Sequence, residues 1–190
     1  GQQQKLIENA RGSIADLLKL INELLELERI EDGKLPLARQ SILLATVLNK
    51  SVDAVASYAR RQELELSITP TNLSVNADRE KLQQVVINLL SNAIKFSPKN
   101  SSIEIVVEQD NCHALVKITD KGPGIPVEFQ ERIFERFSQV RVDDRRYGSG
   151  LGLSICQAIV QAHGGSIGVH CAPTQGSTFW FTVPLDLKPA

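Results

Sequence analysis

The sequence predicts an α+β fold: a two-layer α/β sandwich on a mixed sheet, preceded by a long amphipathic helix. Three observations predict it. The first thirty-odd residues carry an apolar stripe at helical spacing and no strand pattern. The rest mixes helical segments with short β-branched runs that pair as hairpins, an order that places helices against one sheet. Hydrophobic residues make up 42% of the 190 residues and charged residues 23%, enough to bury a core in one domain with an appendage.

In the N-terminal part, Ile7, Ala10, Ile14, Leu17, Ile21 and Leu24 recur at gaps of three and four, a heptad seam. Leu18, Leu20, Leu25 and Leu27 widen the stripe beyond a two-helix seam, as in a helix of a four-helix bundle. Gly33 suits the position just past the helix end, and Pro36 blocks its return. One helix cannot bury this stripe. It either folds back on the rest of the chain or packs against a helix outside this sequence and a second copy of itself, and the second arrangement is expected.

Further along, Ser41 is a candidate N-cap for a helix over about 42–61, with Leu44, Val47, Leu48, Val55 and Tyr58 on one side. A strand follows near 64–68. Asp78 N-caps a helix over about 79–96 that buries Leu82, Val85, Val86, Leu89, Leu90 and Ala93. That helix stops at Ser97-Pro98, because the residue before proline avoids the helical region. Ile103–Glu108 and Ala114–Thr119 read as adjacent strands with Asp110-Asn111 in the turn. A short helix fits about 127–136, and a longer one about 150–163 that ends in His163-Gly164-Gly165. Ser166–His170 and Thr178–Val183 read as the last two strands.

Composition excludes several functions. The 21 Lys+Arg against 22 Asp+Glu give a net charge of −1, which disfavours a general nucleic-acid surface. No apolar run reaches the length of a membrane span, and no signal peptide is expected in these residues. Cys112, Cys156 and Cys171 match no zinc spacing and suggest a reducing compartment. The chain starts on Gly1 and contains no methionine, so the natural protein is expected to extend upstream.

Three segments carry chemistry. Asn88, Asn92 and Lys95 are spaced by four and three, so they share one face of an otherwise apolar helix. Amide oxygens suit Mg²⁺ that keeps waters and phosphates, and lysine supplies a point charge for phosphate. The plainer reading is an exposed face near a helix end. Next, Asp120-Lys-Gly122-Pro-Gly124-Ile125 leaves a strand, where a carboxylate could accept from an exocyclic amine and glycines admit a flat ligand. The plainer reading is an Asp-initiated turn. Last, Gly148-Ser-Gly150-Leu151-Gly152-Leu153 opens a helix, the arrangement of a phosphate cradle, with Arg141, Arg145 and Arg146 upstream. It lacks the Gly-Lys-Ser/Thr ending of a P-loop, and its glycine spacing misses the dinucleotide fingerprint.

In order, the asparagine helix, Asp-x-Gly-x-Gly, Phe134-Glu-Arg-Phe137 and Gly-x-Gly-Leu-Gly-Leu resemble the N, G1, F and G2 boxes of a histidine kinase ATP-binding domain. Gly176-Ser-Thr178-Phe179 is similar to that family's closing turn, and the resemblance spans about Leu35 to Leu185. Leu17–Leu35, reading LLKLINELLELERIEDGKL, resembles the second helix of the family's dimerisation and phosphotransfer domain. The resemblance divides the chain into 1–34, that second helix, and 35–190, the catalytic ATP-binding domain. It implies ATP and Mg²⁺ as ligands, with Asp120 reading the adenine amine and Asn92 holding the metal. Asn88 and Lys95 would touch metal or phosphate. Gly122, Gly124, Ile125, Phe137, Arg145, Arg146, Tyr147, Gly148, Gly150, Leu151, Gly152, Leu153 and Thr178 complete the implied nucleotide contacts. A lid over about Ser138–Tyr147 would be the most mobile segment and would be ordered by arginine–phosphate bonds.

The implied activity is that of a protein-histidine kinase passing phosphate to the receiver domain of a response regulator. Homodimerisation through the N-terminal bundle and a cytoplasmic location follow from the same resemblance, with no nucleic-acid or membrane contact by this fragment. Two departures matter. His113, His163 and His170 lie outside the N-terminal helix and none precedes an acidic residue, so no phosphoacceptor is expected in this chain. One glycine, rather than two, separates Tyr147 from Ser149. ATP-hydrolysing members of the superfamily carry a water-activating Glu where Asn88 stands, so Asn88 favours transfer to imidazole over hydrolysis. A serine kinase of the anti-sigma-factor type would lack the long heptad helix. A non-catalytic nucleotide-binding dimerisation module, signalling through a partner, is the alternative.

Overall fold

The computed structural model describes residues 36–138, 150–171 and 176–186, together with Gln4, Ile14, Leu17, Leu18, Ile21, Leu24, Leu25 and Glu28. Those eight N-terminal residues are helical, and Ile14, Leu17, Leu18, Ile21, Leu24 and Leu25 are exposed. These six stripe positions are therefore left exposed by the described part of the chain. Gly33 lies outside the described residues.

The remaining elements, in order, are β1 (Gln40–Leu43), α1 (Leu44–Arg61), β2 (Glu65–Ile68), β3 (Ser74–Ala77) and α2 (Arg79–Phe96). They continue with β4 (Ser102–Asp110), β5 (His113–Thr119), α3 (Val127–Gln130), a 3₁₀ turn (Arg132–Phe134), α4 (Gly152–Ala162), β6 (Ile167–Cys171) and β7 (Ser177–Pro184). Five strands form one sheet in the order β2-β4-β5-β7-β6, with β2 parallel to β4 and the other pairs antiparallel. A second sheet pairs β1 with β3. The mixed α+β sandwich expected from the sequence is therefore present.

Alternation along the strands builds the two layers. Ile103 and Ile105 of β4, Ala114, Val116 and Ile118 of β5, and Phe179, Phe181 and Val183 of β7 all point to the helical side and are buried. The helices answer with Leu82, Val86 and Leu89 of α2 and Ile155 and Ile159 of α4. Central α2 packs against both α1 and α4, so its polar face is left near the start of α4. Removing the fully buried Phe181 side chain to Ala would cost about 3–5 kcal/mol.

Four local expectations change. Ser41 does not cap a helix: it lies in β1 opposite Asn76, and the N-cap is Leu43, with no side-chain hydrogen bond. Leu44 N–H donates instead to the Leu73 carbonyl (3.0 Å), so a neighbouring backbone does the capping. The β4–β5 turn is Asn111-Cys112, because Asp110 still pairs with His113. The segment after Pro126 breaks into a short helix and a 3₁₀ turn: Phe137, next on its apolar stripe, is 62% exposed at φ +58°, so nothing continues the helix. The last helix begins at Gly152, since Gly150 has φ +73° and cannot be helical.

Asp78 caps α2 as expected, accepting from Glu80 N–H (3.0 Å) and Lys81 N–H (3.1 Å). His163 has a larger part than a last-turn residue. It is buried, its Nδ1 donates to the Ile159 carbonyl (2.8 Å), and its Nε2 accepts the Asp78 N–H (2.9 Å). That pattern requires the neutral ring. Burial pushes the His163 pKa below 6.5, against the Ile159 hydrogen bond; Arg39 lowers it further and Asp78 raises it. The sign follows: the stabilisation is full above the unfolded value and is lost as pH falls through the lowered folded value. The melting temperature, followed from about pH 8 to about pH 5, should therefore fall more steeply on the acid side in the parent than in His163→Gln. Parallel profiles would remove His163 from this role.

Candidate functional site

Three connections bring the sequence segments together. At one end, Asp120 leaves β5 almost fully buried, at 3% exposure. Its Oδ1 accepts from Gly122 N–H (2.7 Å) and Ser177 N–H (3.3 Å). Its own N–H donates to the Ser177 carbonyl (2.9 Å), tying the first glycine segment to the start of β7. Among the described residues both of these hydrogen bonds reach Oδ1. Burial raises the Asp120 pKa above 3.8, and the two backbone hydrogen bonds only partly offset it. A buried carboxylate held by backbone amides on one oxygen could accept a neutral N–H donor, such as an exocyclic amine, on the other.

The second connection runs from this carboxylate to α2. A Cβ on Gly122 would lie 2.8 Å from Asp120 Oδ1 and 2.9 Å from the Phe96 carbonyl, so only glycine lets the loop close against the end of α2. Beyond it Gly124 has φ +77°, and Ile125 is half-buried against the core. Thr178 Oγ1 lies 3.0 Å from Thr119 Oγ1, beside Asp120.

The third connection joins α2 to the second glycine segment. Asn88 and Asn92 are half-buried, in contrast to their fully buried neighbours Leu89 and Leu90. A Cβ on Gly152 would sit 3.9 Å from the Asn88 side-chain amide, so the asparagine face and the opening of α4 meet. Leu151 is buried, Leu153 is half-buried, and Gly150 packs against the backbone of Phe137. Lys95 carries its ammonium over the Phe96 ring (5.1 Å). Arg145, Arg146, Tyr147 and Gly148 lie outside the described residues, as does most of the segment read as a lid.

Sequence reasoning missed the Ser177 amide, the Phe96 carbonyl and Thr119. The first two act through backbone atoms, which no residue type announces. Thr119 joins Thr178 through the β5–β7 register, a pairing of residues 59 apart in sequence.

The family described as histidine kinase-, DNA gyrase B- and HSP90-like ATPase matches residues 77–187. The chain belongs to that family. The match begins just before α2, runs through Asp120 and both glycine segments, and ends past β7, so it holds every connection above. The chain is 34% identical over 188 residues to the sensor protein KdpD of Clostridium acetobutylicum, covering 98% of this chain and 21% of KdpD. Full-length ShkA, solved in complex with AMPPNP, superposes with a TM-score of 0.87 at 27% identity, covering 100% of this chain and 40% of that one. Histidine kinase ThkA, solved in complex with the response regulator protein TrrA, superposes with a TM-score of 0.75 at 27% identity, covering 96% and 51%. Among the described residues no helix is long and apolar enough to cross a membrane, and no group of three His, Cys, Asp or Glu is placed to hold a metal.

Proposed function

We propose that this chain is the ATP-binding kinase portion of a sensor histidine kinase. Residues 1–34 would be the second helix of a dimerisation and phosphotransfer bundle, and 35–190 the catalytic domain. The observation that carries the reading is the continuity of the site: Asp120 at one end, Asn88 against Gly152 at the other, both anchored on α2. Asp120 Oδ2 would accept the adenine amine. Asn92, with Asn88, would hold Mg²⁺, and Lys95 would meet phosphate. Neutral amide oxygens would suit Mg²⁺, which takes few protein ligands and keeps waters and phosphates. Leu151, Gly152 and Leu153 would bring the start of α4 to the phosphates, and Arg145, Arg146, Tyr147 and Gly148 would close over them.

Asn88 is the residue we place nearest the chemistry. An amide does not take a proton near neutral pH, so water is not activated there. Transfer goes to a nucleophile that needs no such base, the neutral imidazole of a histidine outside this chain, and onward to a response regulator aspartate. The ShkA structure with AMPPNP and the ThkA structure with TrrA support the nucleotide and the partner. A homodimer through the N-terminal bundle and a cytoplasmic setting complete the proposal.

The chain incubated with γ-labelled ATP and Mg²⁺ should bind nucleotide without labelling itself. Extended upstream by a helix carrying a His-acid pair, it should acquire acid-labile, base-stable phosphate. Stable label on His113, His163 or His170 would overturn the external acceptor. Binding with no transfer even in the extended chain would favour a non-catalytic dimerisation module.

A further inference from the structure

α2 and α4 lie antiparallel and adjacent, with residues of the two helices close at two places. At one end Asn88 meets Gly152. At the other, roughly 15 Å away along α2, Asp78 meets His163. That far end is tied into the segment arriving from the N-terminal helix. Ala38 N–H donates to Asp78 Oδ2 (2.9 Å), and Arg39 Nη2 donates to the Ala162 carbonyl. Asp78 N–H donates to His163 Nε2 (2.9 Å), and His163 Nδ1 donates to the Ile159 carbonyl (2.8 Å). The centre of this knot is dry, with His163 1% and Asp78 9% exposed, while Arg39 is on the surface.

We infer that the knot couples residues 36–39 to the nucleotide end of α2 and α4. Asp78 and His163 are positioning residues: they set how the two helices sit on each other, and the segment from the N-terminal helix loads that setting. The physical basis is that helices are stiff and their interface is close-packed, so displacement at one end reaches the other. A Cβ built on Gly152 would stand 3.9 Å from the Asn88 amide, so the two residues are close neighbours and a small relative shift of α2 and α4 changes the space between them. Coupling of this kind is reciprocal: if the knot alters nucleotide affinity, nucleotide alters the knot. The functional half of the inference rests on the ATP reading of the site; the structural half does not.

The test uses the 190-residue chain and three variants, Arg39→Ala, His163→Gln and His163→Leu. Glutamine offers an oxygen to the Asp78 N–H; leucine does not. Mg-ATP affinity is measured by calorimetry, and amide exchange is followed at Ala38 and at Asn92 and Ile155. Arg39→Ala, on the surface and far from Asn88, should weaken Mg-ATP by about 5-fold or more, at the low end of measured coupling. His163→Leu should weaken it further, and His163→Gln should recover most of the loss. Saturating Mg-ATP should slow Ala38 exchange by a similar factor in the parent. Unchanged affinity in Arg39→Ala, with Ala38 exchange indifferent to Mg-ATP, would overturn the inference. If calorimetry detects no Mg-ATP binding in the parent, the ATP reading fails and exchange alone decides. Faster exchange at Asn92 and Ile155 in Arg39→Ala, with exchange in His163→Gln close to the parent's, then upholds the knot, and unchanged exchange in Arg39→Ala overturns it. Both of these variants decide the matter even if His163→Leu does not fold.

Discussion

Asp120→Asn is expected to weaken ATP binding by about 10–150-fold while leaving the melting temperature at neutral pH unchanged or higher. The two halves have separate causes. Asn keeps an oxygen for the Gly122 and Ser177 amides, so the turn between β5 and β7 retains its hydrogen bonds. What changes is the other oxygen, which becomes an NH₂ that cannot accept from an adenine amine. A hydrogen bond to a charged group is worth about 1.5–3 kcal/mol, which sets the affinity range.

The stability half follows from burial, which raises the Asp120 pKa above 3.8. As pH rises, the unfolded chain loses this proton before the folded chain does. Stability therefore falls as pH rises through the window from 3.8 up to the raised folded value, and the loss persists at neutrality. Removing the charge removes that penalty. Calorimetric titration with Mg-ATP and thermal melts at neutral pH check both halves. Undiminished affinity would remove Asp120 from adenine recognition. A clearly lower melting temperature with affinity lost would reassign Asp120 to holding the fold.

Gly176→Ala should be the most damaging small substitution in the site. Gly176 has φ +87°, and a Cβ there would lie 1.9 Å from the Asp120 carbonyl oxygen. The positive φ costs about 1–2 kcal/mol for alanine, and making room adds about 1–3 kcal/mol. The atom that must move is a backbone oxygen, in a residue whose N–H is tied to the Ser177 carbonyl, so it cannot rotate away as a side chain would. A total of about 3 kcal/mol corresponds to roughly 6–12 °C in melting temperature for a chain of this size. Gly164→Ala is the control. Its φ is +82°, but the nearest atom to a Cβ is the Pro184 Cγ at 3.8 Å, so only the conformational part applies. Melts of the two variants side by side give the test. Equal losses would mean that the contact with Asp120 contributes nothing.

Much of this protein is legible in its amino-acid sequence. Periodicity alone places α2 and its buried face, because Leu82, Val85, Val86, Leu89 and Leu90 recur at helical spacing over eighteen residues, and Asp78 and Ser97-Pro98 mark its ends chemically. The site segments are legible for a related reason: Asn88, Asn92, Asp120 and the glycines are residue types that an apolar core has no use for. The elements that escape are β1 and β3, four residues each. Neither shows the alternating Leu64, Leu66 and Ile68 that betray the equally short β2, and Ser41 carries a helix-capping side chain into a strand because Asn76 pairs with its backbone.

By itself, then, the sequence determined the α+β class, the order of the motifs, the heptad stripe and the absence of a His-acid pair from the N-terminal helix. Each is a property of side-chain type and spacing along one chain. Only the tertiary structure decided that Asp120 holds the Gly122 and Ser177 amides on one oxygen, that Asn88 faces Gly152, and that His163 accepts the Asp78 amide. These are contacts between segments far apart in sequence, several made through backbone atoms that every residue shares. Composition and periodicity are blind to them; they are settled when the strands take their register and α4 packs against α2.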